Sequence, residues 1–270
     1  TRDWSSDVCS SDLGIMTQPI DIKGIKLGEG RPKTIISLMG AHADENIELV
    51  KKGIDAGVEC FEWRGDFAAN VHDPQAMAQE SIEIGKALSN NPYLFTFRST
   101  SQGGQLTIPV EEYVALNKAI IEAEAIDLVD IETWIGDAAV LELVACAQQH
   151  NVKTVISYHN FAGTPSVEWM VNLLTHMADL GADIPKIATM ANGAQDALKL
   201  LAATEEMSRI HSDKPLLTMA MGREGSITRL AGELFGSAIT FCSLEAASAP
   251  GQVQVKQAIR IMDDLHEVLV

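Results

Sequence analysis

Lys186 lies inside the run Ala182-Asp183-Ile184-Pro185-Lys186-Ile187-Ala188-Thr189, a mostly apolar stretch with the composition of a strand. An ammonium stripped of water is costly, so a lysine in a core strand is either paired or reactive. The plain alternative is a strand-edge lysine that lays its stem along apolar surface and keeps its head in water. As a neutral amine in an apolar cavity, the same group would attack a carbonyl carbon and form an imine. His159 is the second candidate, because it ends the strand-like run Thr154 to Tyr158 shortly before Gly163. An imidazole titrates near neutrality and can carry protons to and from a carbon beside an imine. The imine draws electrons, acidifies that C–H bond and permits a β-hydroxyl to leave as water. His72, His150, His176, His211 and His266 fall on loops or helix faces where solvation is expected, and His42, after the first strand, is left without a role.

Positioning these groups requires a scaffold, and the chain alternates short apolar runs with helix-length amphipathic segments. The expected strands are Thr34 to Met39, Val58 to Trp63, Tyr93 to Arg98, Leu128 to Glu132, Thr154 to Tyr158, Ile184 to Thr189, Leu216 to Met221 and Ala238 to Cys242. Between them the pattern predicts helices at Asp44 to Ala56, Pro74 to Ser89, Val110 to Ala125, Asp137 to His150, Ser166 to Leu180, Ala194 to Ile210, Ile227 to Phe235 and Gln252 to Leu269. A hairpin is expected near Ile20 to Lys33, turning at Gly28-Glu29-Gly30. Eight βα units are most simply closed as a (β/α)8 TIM barrel of the α/β class, which typically takes about 250 residues. An open doubly wound sheet is the alternative, but Met39-Gly40-Ala41-His42 lacks the glycine spacing that such a sheet shows after its first strand.

The chain has 270 residues, 46% hydrophobic and 21% charged, enough for one large core. Residues 14–270 are read as a single barrel domain, and Thr1 to Leu13, Ser/Asp-rich and without either period, as a non-native leader. A formal charge of −17 argues against a nucleic-acid partner, and no apolar run approaches the roughly 18 to 20 residues of a membrane span. A cytoplasmic protein is expected. Cys9, Cys60, Cys146 and Cys242 are widely spaced, so they are read as reduced thiols, with neither a disulfide framework nor a metal site indicated.

In a barrel of this kind, catalytic groups come from the C-terminal ends of the strands. Polar residues gather there: Glu62 and Arg64 on the second strand, Arg98 on the third, Glu132 on the fourth, His159 on the fifth and Lys186 on the sixth. Arg229 follows the seventh strand, and Ser248 and Gln252 follow the eighth. Asp66 and Glu132 are equally suited to barrel salt bridges. A cluster of Arg64, Arg98, Arg229 and Lys186 in one low-dielectric mouth would lower the lysine pKa from about 10.4 toward about 7 to 8.

Taken in order, these residues resemble the type I 3-dehydroquinate dehydratases of the shikimate pathway, from about Met16 to the C-terminus. The resemblance rests on Ser37-Leu38-Met39-Gly40, Glu62-Trp63-Arg64, Phe95-Thr96-Phe97-Arg98, Asp130-Ile131-Glu132, Ser157-Tyr158-His159, Pro185-Lys186-Ile187-Ala188, Ile227 to Gly232 and Ser248 to Gln252. It implies that Lys186 is the Schiff-base lysine and His159 the general acid/base. It further implies that Arg229 binds the substrate carboxylate, that Ser248 and Gln252 close over the ligand, and that Glu62, Arg64 and Arg98 hold ring hydroxyls. Ser37 would line the floor, with apolar contact from Met219, Met221 and Phe241. A small carboxylate substrate, no metal, no cofactor and a homodimer are part of the same expectation. One departure concerns the proton transfer: where the family usually has a glutamate pairing with the histidine, this chain has Gln102 before Gly103-Gly104. A neutral amide could orient the imidazole but would favour its protonated form less. Asn160, where the family more often has aspartate, departs in the same sense. Two rivals remain: a Schiff-base aldolase binding a sugar phosphate near Gly222, Arg223 and Gly225, and a catalytically silent ligand-binding barrel, for which Gln102 is the motive.

Overall fold

The computed structural model describes residues 14, 16–88, 90–244 and 247–270. The expected leader, Thr1 to Leu13, and with it Cys9, lies outside the described residues. Cys60, Cys146 and Cys242 are buried free thiols.

A short antiparallel hairpin, β1 (Ile20–Ile22) and β2 (Ile25–Leu27), opens the fold. Its turn is Lys23-Gly24, not the expected Gly28-Glu29-Gly30: both turn residues have positive φ, 54° and 82°. That is the two-residue hairpin geometry favoured by strand twist, and the Asp21 carboxylate secures it by accepting from the Gly24 N–H at 2.9 Å. Gly28 and Gly30, also at positive φ, bend the connection into the barrel instead.

Eight parallel strands follow: β3 (Lys33–Leu38), β4 (Cys60–Arg64), β5 (Tyr93–Thr96), β6 (Leu128–Glu132), β7 (Lys153–Asn160), β8 (Ile184–Met190), β9 (Leu217–Met221) and β10 (Ile239–Ser243). From β3 to β9 each is bonded to the next in chain order, and β10 pairs with β3. The ring closes where the Ala238 N–H donates to the Leu216 carbonyl at 2.8 Å and Ser237 bridges Leu216. A closed ring excludes the open doubly wound sheet. Around it run α1 (Ala43–Asp55), α2 (Pro74–Ala87), α3 (Val110–Glu122), α4 (Asp137–Gln149), α5 (Val167–Asp179), α6 (Ala194–Glu206), the short α7 (Ser226–Leu230) and α8 (Gly232–Phe235), and α9 (Val255–Leu269). The single helix expected over Ile227 to Phe235 is broken at Ala231, just before Gly232, which packs so closely that a Cβ there would stand 2.6 Å from the Ser237 carbonyl oxygen. Gln252 precedes the last helix, and Val253–Gln254 forms a short strand, β11, beside β10.

The strand period of two sorts the barrel interior into layers. The lowest takes one residue from every strand: Ile35, Cys60, Leu94, Leu128, Val155, Ile184, Leu217 and Ile239, all buried and packed as one cluster with Ile22 and Leu27 of the hairpin. The hairpin therefore plugs the N-terminal end. Two residues further along each strand stand Ser37, Glu62, Thr96, Asp130, Ser157, Lys186, Met219 and Phe241. The alternate residues, among them Phe61, Trp63, Phe95, Ile131, Ile156 and Ile187, face outward into the sheet–helix core. An apolar floor thus supports a polar layer, and that layer is the base of the site. Among the described residues no helix is long and apolar enough to cross a membrane.

Candidate active site

Glu62, Arg64, Arg98, Gln102, His159, Phe161, Lys186, Met219, Met221, Arg229, Phe241, Ser248 and Gln252 line one cavity at the C-terminal end of the strands. Every residue expected at the site from the sequence is there except Ser37, which sits one contact behind: its Oγ is 2.5 Å from Glu62 Oε2 and 3.0 Å from Ser248 Oγ. The five histidines expected on the surface each pair there with a carboxylate, as His72 does with Glu112.

Lys186 is only 2% exposed and points into this cavity from β8. Its Nζ donates to Asp130 Oδ2 at 3.0 Å and sits 4.9 Å from the centroid of Phe241. Burial pushes the amine below the ordinary lysine range; Asp130 opposes that and Arg98 adds to it. The cause differs from the expected one. Arg64 is bound bidentately by Asp66, with both contacts at 2.8 Å, and Arg98 is bound by Asp130 and Glu132. Four cations (Arg64, Arg98, Lys186, Arg229) meet four carboxylates (Glu62, Asp66, Asp130, Glu132), so desolvation, not a surplus of positive charge, depresses the lysine. Asp66 and Glu132 hold salt bridges, as expected of them.

Asp130 was not singled out as a site residue in the sequence, yet it is the hub of the polar layer. One oxygen accepts from Ser157 Oγ at 2.6 Å and Arg98 NH1 at 3.1 Å; the other accepts from Arg98 NH2 at 2.9 Å and from Lys186. Burial would raise its pKa, but Arg98 and then Lys186 outweigh it and hold the carboxyl well below the usual range. The sequence signal was present: inward positions 128, 130 and 132 of β6 read Leu, Asp, Glu, between strands bearing Arg98 and Lys186.

His159, on β7 next to β8, is pushed well below the ordinary histidine value by burial, then by Arg98 and Lys186. Its Nδ1 is buried without a hydrogen-bond partner among the described residues. Gln102 does not reach the imidazole; its Oε1 accepts the backbone N–H of His159 at 2.6 Å, while its Nε2 donates to the Ser101 carbonyl at 3.3 Å. The amide fixes the residue's backbone, and the expectation that it orients the ring is corrected accordingly. Asn160 turns away, its Oδ1 accepting from the N–H groups of Ala162 and Gly163 at 2.9 and 3.2 Å.

Arg229, 3% exposed on α7, is the cavity's cation without a carboxylate partner among the described residues. NH2 donates to the Pro250 carbonyl at 2.9 Å, NH1 approaches Met219 Sδ at 3.6 Å, and the buried Nε has no partner among the described residues. Burial lowers its pKa to about 10. Over it lies the segment 247–252, where the Ser248 N–H donates to Gln252 Oε1 at 3.0 Å and Gln252 Nε2 donates to Ser248 Oγ at 2.7 Å. The arrangement offers a desolvated amine, an imidazole, and a guanidinium suited to an anion.

A profile of the Type I 3-dehydroquinase family matches residues 34–268. The chain belongs to that family. The 3-dehydroquinate dehydratase of Clostridioides difficile (strain 630) is 40% identical over 252 residues, covering 93% of this chain and 99% of that protein. That of Salmonella agona (strain SL483) is 40% identical over 248 residues, covering 92% and 98%. A crystal structure of the type I 3-dehydroquinate dehydratase from Clostridium difficile, described as carrying covalently modified comenic acid, superposes with a TM-score of 0.90 at 40% identity, over 94% of this chain and 100% of that one. As a type I 3-dehydroquinase the protein is a hydro-lyase of the shikimate pathway with a small-molecule substrate.

Proposed function

We propose that this type I 3-dehydroquinase converts 3-dehydroquinate to 3-dehydroshikimate and water through an imine on Lys186, with His159 as the general acid/base. The observation that carries the reading is the pairing, in one cavity, of a desolvated lysine with an arginine that has no carboxylate partner among the described residues: a nucleophile for a ketone and a counter-ion for a carboxylate. Lys186, as the neutral amine, adds to the ketone and expels its oxygen as water. The imine then drains electrons from the adjacent carbon, His159 removes that carbon's proton, and the β-hydroxyl leaves after taking a proton from the same imidazole. Hydrolysis of the imine consumes one water and restores Lys186, so one water is lost overall. In this reading Arg229 binds the substrate carboxylate, with Ser248 and Gln252 above it. Glu62 and Arg64 meet the ring hydroxyls, with Ser37 bonded to Glu62 from behind; Met219, Met221 and Phe241 pack its apolar faces; Arg98, committed to Asp130 and Glu132, acts chiefly by holding Asp130 against Lys186. The covalent ligand described for the Clostridium difficile structure agrees with a nucleophile in this architecture. A cytoplasmic homodimer completes the reading, and light scattering on the purified protein checks the dimer.

The aldolase alternative needs an open phosphate cradle after β9. There the Gly222 N–H already donates to the Pro250 carbonyl at 3.2 Å, and Gly251 packs on the Gly222 backbone. To test the main reading, the protein is incubated with 3-dehydroquinate and borohydride, digested and weighed. A reduced adduct is expected on the peptide containing Lys186; its absence there overturns the imine. Lys186→Ala should abolish the ultraviolet absorbance rise of the conjugated enone product.

A further inference from the structure

Among the described residues no side-chain acceptor reaches Nδ1 of His159, and what touches the imidazole is another ring. Phe161 stacks on it with ring centroids 6.4 Å apart and planes 13° apart, within the usual range for aromatic pairs. The outer edge of Phe161 rests on Gly103, where an added Cβ would stand 2.3 Å from Phe161 Cζ and 2.5 Å from Cε2. Gly103 has φ 88°, in the left-handed region, and follows Gln102, whose amide holds the His159 backbone N–H. The turn after β5 therefore meets His159 twice, at its backbone through Gln102 and at its ring through Gly103 and Phe161.

We propose that Phe161, backed by Gly103, is the positioning residue for His159 and sets the plane of the imidazole by stacking, in place of a carboxylate on Nδ1. The proposal rests on the reading of His159 as the proton carrier. Stacking fixes the plane and shields one face from water, yet provides no acceptor for the second N–H that an imidazolium would carry. The neutral ring is thereby favoured, and so is its use as a base. The charged groups around the imidazole, Arg98 beyond β5, Lys186 on β8, Asp130 on β6 and Arg64 on β4, set the remainder of its protonation equilibrium. Phe161 is 41% exposed, so shortening it removes the stacking partner without opening the core.

The test is a double-variant cycle read by kinetics and by pH profile. Phe161→Ala should lower kcat about tenfold while KM stays within about twofold. Water then reaches Nδ1, so the acid limb of kcat/KM moves to higher pH. Phe161→Tyr should restore both. Gly103→Ala should displace the phenyl ring and reproduce much of the loss, yet add little in the Phe161→Ala background. A raised KM with unchanged kcat and an unmoved acid limb would make Phe161 a substrate contact and overturn the proposal, as would fully additive losses. Borohydride trapping runs beside the kinetics: an adduct retained in Phe161→Ala places the loss after imine formation, as expected, and one lost only in that variant counts against the proposal. Trapping in the unsubstituted enzyme reports on Lys186 alone, so a failure of the imine reading is seen there, while the kinetic cycle still decides the stacking.

Discussion

Asp130 accepts from two cations at once, and that sharing sets the resting state of Lys186. Desolvation favours a neutral amine and the carboxylate favours an ammonium, so a proton can leave the lysine without leaving a strongly charged cavity behind. Replacing Asp130 by asparagine removes the opposing influence. The amine should then become neutral at lower pH, and the alkaline rise in the rate of borohydride-trapped adduct should move down the pH scale. The same change leaves Arg98 and Lys186 buried with less compensation, and chemical denaturation should report a loss of about 3 to 5 kcal/mol. An unmoved trapping profile would show that Asp130 does not govern the lysine. Gln102→Glu probes the other partner. A carboxylate accepting the His159 N–H adds negative charge beside an imidazole now pushed low, so the histidine pKa rises and the acid limb of kcat/KM shifts to higher pH. Because the contact is to the backbone and not to Nδ1, turnover at neutral pH should change by less than about tenfold, small against the 10² to 10⁴ that general acid–base catalysis supplies. A hundredfold gain would mean that the side chain at position 102 reaches the ring during turnover.

Segment 247–252 borders the cavity that holds Lys186 and Arg229, and its Pro250 carbonyl accepts from Arg229. It is seated by backbone contact: Gly251, at φ 76°, lies so close to Gly222 that an added Cβ would meet the Gly222 carbonyl oxygen at 2.4 Å. Gly251→Ala should keep the segment from seating and lower kcat/KM by about ten- to a hundredfold, with the melting temperature little changed. A variant that retains kcat/KM would show that closure does not depend on this contact. The elements of the barrel were legible in the sequence because each strand buries two faces and reads as an apolar run, and because chemistry interrupts those runs where it occurs. Lys186 between Pro185 and Ile187, and His159 after Tyr158, stand out for that reason. Asp130 did not, because a run ending Asp-Ile-Glu has two inward acids, and only packing across β5, β6 and β8 shows which one faces the lysine. The hairpin turn was misplaced because two glycines at Gly28 and Gly30 outweigh one at Gly24 when local geometry is unseen. Gln102 belongs to a turn without a period, so no pattern in the sequence announces that its amide faces a backbone N–H.

For the whole molecule, the buried titratable groups predict a stability maximum near neutrality. On the acid side the folded pKa values of Asp130 and His159 both lie below their unfolded values, about 3.9 and 6.5. Below about pH 6.5 the unfolded chain takes up a proton that folded His159 refuses, and stability falls. Below about pH 4 the unfolded form of Asp130 does the same, and its contribution is lost as the pH drops through the folded value. On the alkaline side the order is reversed. Burial raises the thiol of Cys60 and pushes that of Cys242 up to about 12, and it raises Tyr93 and Tyr113 well above the ordinary phenol value. From about pH 8.5 the unfolded thiols lose protons that the folded ones keep, so stability declines again, and the phenols extend the decline above about pH 10. Lys186 and Arg229, with lowered folded values, act in the opposite sense, but they are two groups against five once the Cys146 thiol, also raised by burial, is counted. Urea midpoints measured from pH 4 to pH 11 should therefore peak between about pH 6.5 and 8.5. Cys242→Ser should flatten the alkaline arm, because a serine hydroxyl does not ionise in that range. A midpoint still rising at pH 10 would mean that the two buried cations outweigh the thiols, and that the barrel interior is more tolerant of charge than its packing implies.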